Sequence, residues 1–412
     1  MIHPNQFLST LRNAGIDFFT GVPDSLLKNF CACLTDTYPD AHVIAANEGG
    51  AVALAAGHWL ATAHPALVYM QNSGQGNAVN PLASLADPDV YSIPMVLLIG
   101  WRGEPGVKDE PQHIKQGKIT LSLFETLGIP TSVIPDDEAA ARELVASSVA
   151  KAIAENRPVA LVVRKGLFAP YTLQNKPADI SELRRETAIE GILRALPPRA
   201  VVVSTTGMIS REVYETRERL GQDHSRDFLT VGSMGHALMI ALGIAKAQPD
   251  RPVICLDGDG ATLMQMGNLA IAGQSGCANL IHIVLNNSAH DSVGGQPTVA
   301  GAIDLEQLAS TLGYSVLQSP SSQYPGATAL TADEVAAAME WDFSTLELST
   351  RYEPDDRPSF LEIRVAKGAR PDLGRPKEPP QTNKALFMDT LATAEPLSPN
   401  PVLDPNGILN HN

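Results

Sequence analysis

Four cysteines in 412 residues, Cys31, Cys33, Cys255 and Cys277, form no CxxC pair and no metal-ligand spacing. That scarcity excludes a disulfide scaffold and reads as buried or free thiols in a reducing compartment. No apolar run approaches the ~18 residues of a membrane-crossing helix. The opening MIHPNQFLSTLRNAGIDFF has no basic stretch leading into an apolar core, so the expectation is a cytoplasmic protein. Basic residues are also short, 30 Lys and Arg against 45 Asp and Glu, for a net charge of −15. An acidic surface repels nucleic acid and anionic membranes, which sets both aside as partners. It also means that an anionic substrate needs a locally basic pocket. A GxGxxG turn is missing where a dinucleotide would need it, which counts against a nucleotide-binding oxidoreductase.

What is there is an alternation of short apolar runs with helical patterns. Strands are expected at residues 17–20, 42–45, 66–70, 95–99, 159–163, 200–204, 253–256 and 280–285. Crossover-length segments separate them, which predicts an α/β fold with parallel sheets flanked by helices. The plan occurs twice. In the first half a strand ends at Asn47-Glu48-Gly49-Gly50, a helix follows, then the strand ALVYM, the polar turn QNSGQGN, a helix and the strand MVLLIG. In the second half FLTV ends at Gly232-Ser233-Met234-Gly235, followed by a helix, VICL, DGDGA, a helix and LIHIVLNN. Two related domains are expected, residues 1–175 and 185–370, joined by a loop. A proline-rich tail over 371–412 is expected to lie on the surface or be partly disordered.

The densest chemistry is in the second half. Gly258-Asp259-Gly260 follows a strand and opens a helix, and Asn286-Asn287 closes the next strand. Both points fall at carboxyl ends of parallel strands, where such sheets bind ligands. Glycines let the backbone approach a phosphate, and a helix start offers free N–H groups. A carboxylate and an amide oxygen are suitable ligands for Mg²⁺, which also takes phosphate oxygens. A tight turn with a solvated Asp would explain GDG alone, but not the strand, helix and Asn pair around it.

At this point the sequence resembles the thiamine-diphosphate enzyme superfamily, whose fingerprint is GDG, a spacer of this size and NN. The resemblance implies thiamine diphosphate and Mg²⁺ as cofactors. It implies Asp259, Asn287 and the backbone carbonyl of Ala289 as metal ligands, with Asn286 outside the set. It names the first domain as the pyrimidine-binding one and the second as the diphosphate-binding one. Glu48 matches the glutamate that protonates N1′ of the aminopyrimidine, a role that favours a partly desolvated carboxyl. Met234, between Ser233 and Gly235, matches the bulky wedge that bends the cofactor. Gly74, Gln75 and Asn77 match the pyrimidine-side loop. Thr205, Thr206, Gly232, Ser233, Gly258, Gly260 and Ala261 complete the implied cofactor contacts. The family builds its sites across subunit interfaces, so a homodimer or larger homo-oligomer is implied. The middle domain and His-His pair of the larger pyruvate decarboxylases are both lacking.

The stretches GVPDSLL (21–27), WRGEPGVKDEPQH (101–113) and NNSAHDSVGGQPT (286–298) resemble the phosphonopyruvate decarboxylase family, with sulfopyruvate decarboxylases next to it. This covers about residues 1–370. The substrate implied is a small anionic 2-oxo acid. Arg102, Lys108 and His113 lie in a Gly/Pro-rich loop after a strand and are candidates to meet its anionic group, Arg by bidentate hydrogen bonds. Asp24 and Ser25 end the first strand, a ligand-facing position. Glu48, Asp24, Ser25 and His113 are the candidate catalytic residues. Two alternatives stay open: a sulfopyruvate decarboxylase, and a carboligase of the acetolactate synthase kind.

Overall fold

A computed structural model describes residues 1–176, 178–197, 199–320, 330–339 and 357–393. The chain divides into two compact units, Met1–Pro177 with His290–Thr298, and Ala178–Ala289 with Val299–Asn412. The first contains β1 (Phe19–Gly21), β2 (His42–Ile44), β3 (Leu67–Gln71), β4 (Met95–Gly100), β5 (Thr131–Val133) and β6 (Pro158–Val163). The second contains β7 (Val201–Ser204), β8 (Asp227–Leu229), β9 (Val253–Gly258), β10 (Leu280–Asn286), β11 (Ser315–Val316) and β12 (Ser359–Arg364).

The strands form two six-stranded sheets, ordered β2-β1-β3-β4-β6-β5 and β11-β12-β10-β9-β7-β8. Every recorded pairing within them is parallel. Read from its other edge, the second sheet runs β8-β7-β9-β10-β12-β11, which is the first order with six added to each number. The repeated plan in the sequence is therefore a repeated topology. Loops that follow β1, β2, β3 and β4 correspond to those that follow β7, β8, β9 and β10.

Parallel sheets covered on both faces need strands that are apolar throughout. In β4, Val96 and Leu98 join a core with Phe7, Phe30 and Leu161, while Met95, Leu97 and Ile99 join the opposite core with Ala51, Ala55 and Val68. In β10, Ile281, Ile283 and Leu285 face a core with Ile254 and Leu256, while Leu280 and Val284 face one with Val253 and Cys255. Each expected strand is present, with ends displaced by one or two residues. Three strands were not expected. β5 and β11 are short and only partly buried, so they carry little apolar signal. β12 reads SFLEIR, and its Glu362 interrupts the apolar run although it is buried.

Two further expectations are corrected. The Gly-rich stretch after β3 is helical rather than an open turn: a 3₁₀ turn over Asn72–Gly74 leads straight into the helix Gln75–Pro81. The proline-rich tail is not all peripheral, because Pro380–Ala392 is a helix with Phe387 in the core. Proline at a helix's first turn lacks only an N–H that would have no partner there, so Pro380 starts this helix without cost. Asn383 lies along the exposed edge of β8, donating to the Asp227 carbonyl at 2.8 Å and accepting from the Leu229 N–H at 3.1 Å. Residues 394–412 of the tail lie outside the described residues.

Candidate active site

In the first unit the loops after β1 to β4 carry the candidate residues, and these strands are contiguous in the order β2-β1-β3-β4. Asn47 ends the extended segment after β2 and caps the helix Glu48–Thr62, accepting from the Gly49 N–H at 2.8 Å. That cap fixes Glu48 as the helix's first residue, with its carboxylate buried. Asn77 donates to Glu48 Oε2 at 2.7 Å. A Cβ on Gly74 would collide with the Glu48 carboxyl, so only glycine leaves that carboxyl its place. Burial pushes the Glu48 pKa up, against the pull of the Asn77 amide. Glu48, Gly74 and Asn77 are thus brought together. Gln75 is buried beside Thr120, to whose carbonyl it donates at 3.2 Å, and its own carbonyl oxygen has no hydrogen-bond partner.

Asp24, after β1, is fully buried and accepts from the backbone N–H groups of Leu26 at 3.0 Å and Leu27 at 3.3 Å. Its carboxylate packs on Gly100, the last residue of β4, where any Cβ would displace it. Burial pushes its pKa up to about 6, against the Leu26 N–H and the Arg102 charge. Arg102, after β4, donates from Nη1 to Ser25 Oγ at 2.7 Å and from Nε to Asp109 at 2.8 Å, with Nη2 on the second Asp109 oxygen. Burial works to raise the Asp109 pKa; the Arg102 hydrogen bond and the Glu110 and Gly103 N–H groups overcome it, and the carboxyl sits well below the usual range. His113 is buried, and burial together with the Arg102 charge pushes its pKa down to about 4, so it is neutral at pH 7. Its Nδ1 has no hydrogen-bond partner. Lys108 is exposed on the loop.

The three basic candidates of this loop differ in state. Arg102 is already bidentate to Asp109, and His113 carries no charge. The sequence reading also missed two organising residues. Asp109 is one of several acids in its loop, and only the fold shows which one meets Arg102. Asn72 ties the end of β3 to the loop after β4, donating to the Arg102 carbonyl at 2.8 Å and accepting from its N–H at 3.2 Å.

In the second unit the corresponding loops carry glycine, hydroxyl and amide groups. Thr205 follows β7 and is buried, and the Thr206 hydroxyl accepts from the Gly232 N–H at 3.1 Å. Gly232, Ser233 and Gly235 all have positive φ, 74°, 46° and 83°. Three such residues turn the chain sharply around Met234, which is half-buried. Asp259 opens the helix Asp259–Met264 immediately after Gly258 and is buried, with Gly260 and the buried Ala261 following in the first turn. Asn286 is committed to structure: it donates to Glu362 at 2.6 Å and accepts from the Ser288 N–H at 2.9 Å. Asn287, next to it, is buried and accepts from the Ala289 N–H at 3.1 Å. Glu362, the third missed residue, is what holds the first asparagine of the pair.

The donor set of the second unit, a buried carboxylate and a buried amide at the ends of adjacent strands, fits a hard cation bridged to phosphate oxygens. In the first unit, the glycine-backed Glu48 carboxyl fits a ring nitrogen. Both halves of this equipment match known families. Residues 4–122 match the thiamine pyrophosphate enzyme N-terminal TPP binding domain, and residues 205–342 match the C-terminal TPP binding domain. The chain belongs to the thiamine pyrophosphate enzymes, in the branch of its full-length relatives named phosphonopyruvate decarboxylase. It is 34% identical to the phosphonopyruvate decarboxylase of Streptomyces hygroscopicus, over 97% of this chain and 96% of the other. It is 33% identical to that of Streptomyces viridochromogenes, over 98% of each. A sulfopyruvate decarboxylase of Methanosarcina acetivorans is 28% identical over 76% of this chain and 83% of its own. Among the described residues no helix is long and apolar enough to cross a membrane.

Proposed function

We propose that this protein decarboxylates 3-phosphonopyruvate to phosphonoacetaldehyde and CO₂, using thiamine diphosphate and Mg²⁺, in phosphonate biosynthesis in the cytoplasm. The observation that carries the reading is the 34% identity to a phosphonopyruvate decarboxylase across both domains. Sulfopyruvate decarboxylase is the second reading, favoured by the more distant likeness to that enzyme.

Asp259, Asn287 and the Ala289 carbonyl would hold Mg²⁺, and the turn at Gly258, Gly260 and Ala261 would hold the diphosphate through backbone N–H groups. Thr205, Thr206, Gly232 and Ser233 would contact the same group, and Met234 would pack against the cofactor. Glu48 holds a proton at N1′ of the pyrimidine, with Gly74, Gln75 and Asn77 lining that side. Its raised pKa suits it to share that proton. When bound, thiamine diphosphate supplies the electron sink that receives the bonding pair as CO₂ leaves. Arg102, aimed by Asp109, and Ser25 bind the substrate's anionic end, with Lys108 at the loop's outer side and neutral His113 as a hydrogen-bonding group. Asp24 is protonated below about pH 6 and is our choice for returning a proton to the carbon that lost CO₂. The net change is one carbon–carbon bond broken and one carbon–hydrogen bond formed. The protein works as a homodimer or larger homo-oligomer, with sites at the subunit interface. Incubation of the protein, cofactor and Mg²⁺ with phosphonopyruvate, followed by ³¹P NMR, should show phosphonoacetaldehyde. Unchanged substrate under those conditions would refute the activity.

A further inference from the structure

We propose that Cys255, Asp257 and His282 form a second metal site, a buried one for zinc, distinct from the Mg²⁺ site. Cys255 and Asp257 are two apart on β9 and so share a face of the sheet. His282 lies opposite Cys255 in the register of β10 with β9, on the same face. One donor atom from each, thiol, carboxylate and imidazole, all lie within 4.8 Å of one another. His282 Nε2 and Asp257 Oδ2 are 3.5 Å apart. Zn²⁺ with ligands at about 2.0–2.3 Å in tetrahedral array puts donors roughly 3.3–3.8 Å apart, so that pair already stands at ligand spacing.

The surroundings argue for an occupant. The three residues are buried, in a core of Val253, Leu280, Val284, Leu305 and Phe360. Buried polar groups are almost always hydrogen-bonded, yet neither ring nitrogen of His282 has a hydrogen-bond partner, nor does the buried Tyr314 hydroxyl. The Tyr314 ring lies 6.4 Å from that of His282, and Asp257 and Cys255 are near enough to bear on its phenol electrostatically. An ordinary Asp–His ion pair would leave Cys255 and Tyr314 unexplained. With zinc, the thiolate and the carboxylate balance the ion's two charges, and the imidazole gains a bond. The Cys255 proton leaves as the ion enters, and with all three ligands buried loading accompanies folding. Asp257 also accepts from the Gly258 N–H at 2.9 Å, so the ion would brace the first residue of the GDG turn. Sequence spacing hid the site because its ligands come from two strands.

The test is metal content. Protein expressed with added zinc and dialysed against a chelator should retain about one zinc per chain while losing Mg²⁺. Cys255→Ser and His282→Gln should each lose the zinc; Cys277→Ser and Asp259→Asn should keep it. Should the two ligand variants fail to fold, refolding the wild-type chain with Co²⁺ should give a thiolate-to-cobalt charge-transfer band. Wild-type protein holding less than about a tenth of an equivalent of zinc, zinc retained by the folded Cys255→Ser variant, or no such band would each overturn the proposal.

Discussion

The two domains have one topology and different chemistry at the same places. After β1, β2 and β4 the first domain presents Asp24, Glu48 and Arg102, each charged or titratable and each set by a neighbour: Gly100 beneath Asp24, Gly74 and Asn77 around Glu48, Asp109 on Arg102. After β7, β8 and β10 the second presents Thr205, Gly232 to Gly235 and Asn287, neutral groups with open backbone. The strand ends are equivalent, so the scaffold does not explain the difference; the loop residues do. In the proposed reading, one half holds protons and the organic anion, and the other holds phosphate and the cation.

The comparison is broken most severely at its two ends. Glu48→Gln keeps shape and hydrogen bonding but cannot supply a proton, so kcat should fall about a thousandfold or more, while thiamine diphosphate binding followed by calorimetry stays near wild type. Asp259→Asn should do the reverse, weakening Mg²⁺ and cofactor affinity together by at least about 10-fold as seen in titrations of activity against each. Were both variants to lose cofactor binding alike, the division of labour would be wrong.

Gly74→Ala sharpens the first half. Its Cβ must displace the Glu48 carboxyl, so kcat should drop about 10- to 100-fold with little change in the metal requirement. The same change at Gly57 and Gly243, in the helices Glu48–Thr62 and Ala237–Ala247, meets nothing within 4 Å. Each should instead stabilise by about 0.5–1 kcal/mol in denaturant melts, equally in the two domains.

Asp24 gives a pH signature. Its folded pKa is raised from 3.8 to about 6, so the folded state binds the proton more tightly than the unfolded one. The stability it contributes is complete below pH 3.8 and is lost as pH rises to about 6. Asp24→Asn should therefore melt higher than wild type at about pH 8 and level with it at about pH 4. An unchanged difference across that range would remove the buried carboxyl from this account.

Much of this was legible beforehand. The apolar strands, the duplication and the GDG and NN turns are local patterns, and the fold places them where parallel sheets bind ligands. What was not legible depends on partners distant in sequence. Glu362 looks like a break in a strand until Asn286 is seen to need it. Asp109 is indistinguishable from Glu104 and Glu110 until Arg102 turns toward it. Arg102 is a candidate anion contact in the sequence, and only the fold shows it paired with Asp109. The helix Pro380–Ala392 was hidden by the prolines before it, although Phe387 and Asn383 dock it on β8.

The most direct test is kcat/KM for phosphonopyruvate, sulfopyruvate and pyruvate with the wild-type protein and with Arg102→Ala. Arg102, held in place by Asp109, still offers Nη1 beside Ser25, and the loss of a charge-assisted contact there is worth at least about 10-fold. The account predicts the order phosphonopyruvate, sulfopyruvate, pyruvate, and a steeper loss for phosphonopyruvate than for pyruvate in the variant. Equal values for phosphonopyruvate and pyruvate, or a variant that ranks the three acids as the wild type does with no change in rate, would contradict it.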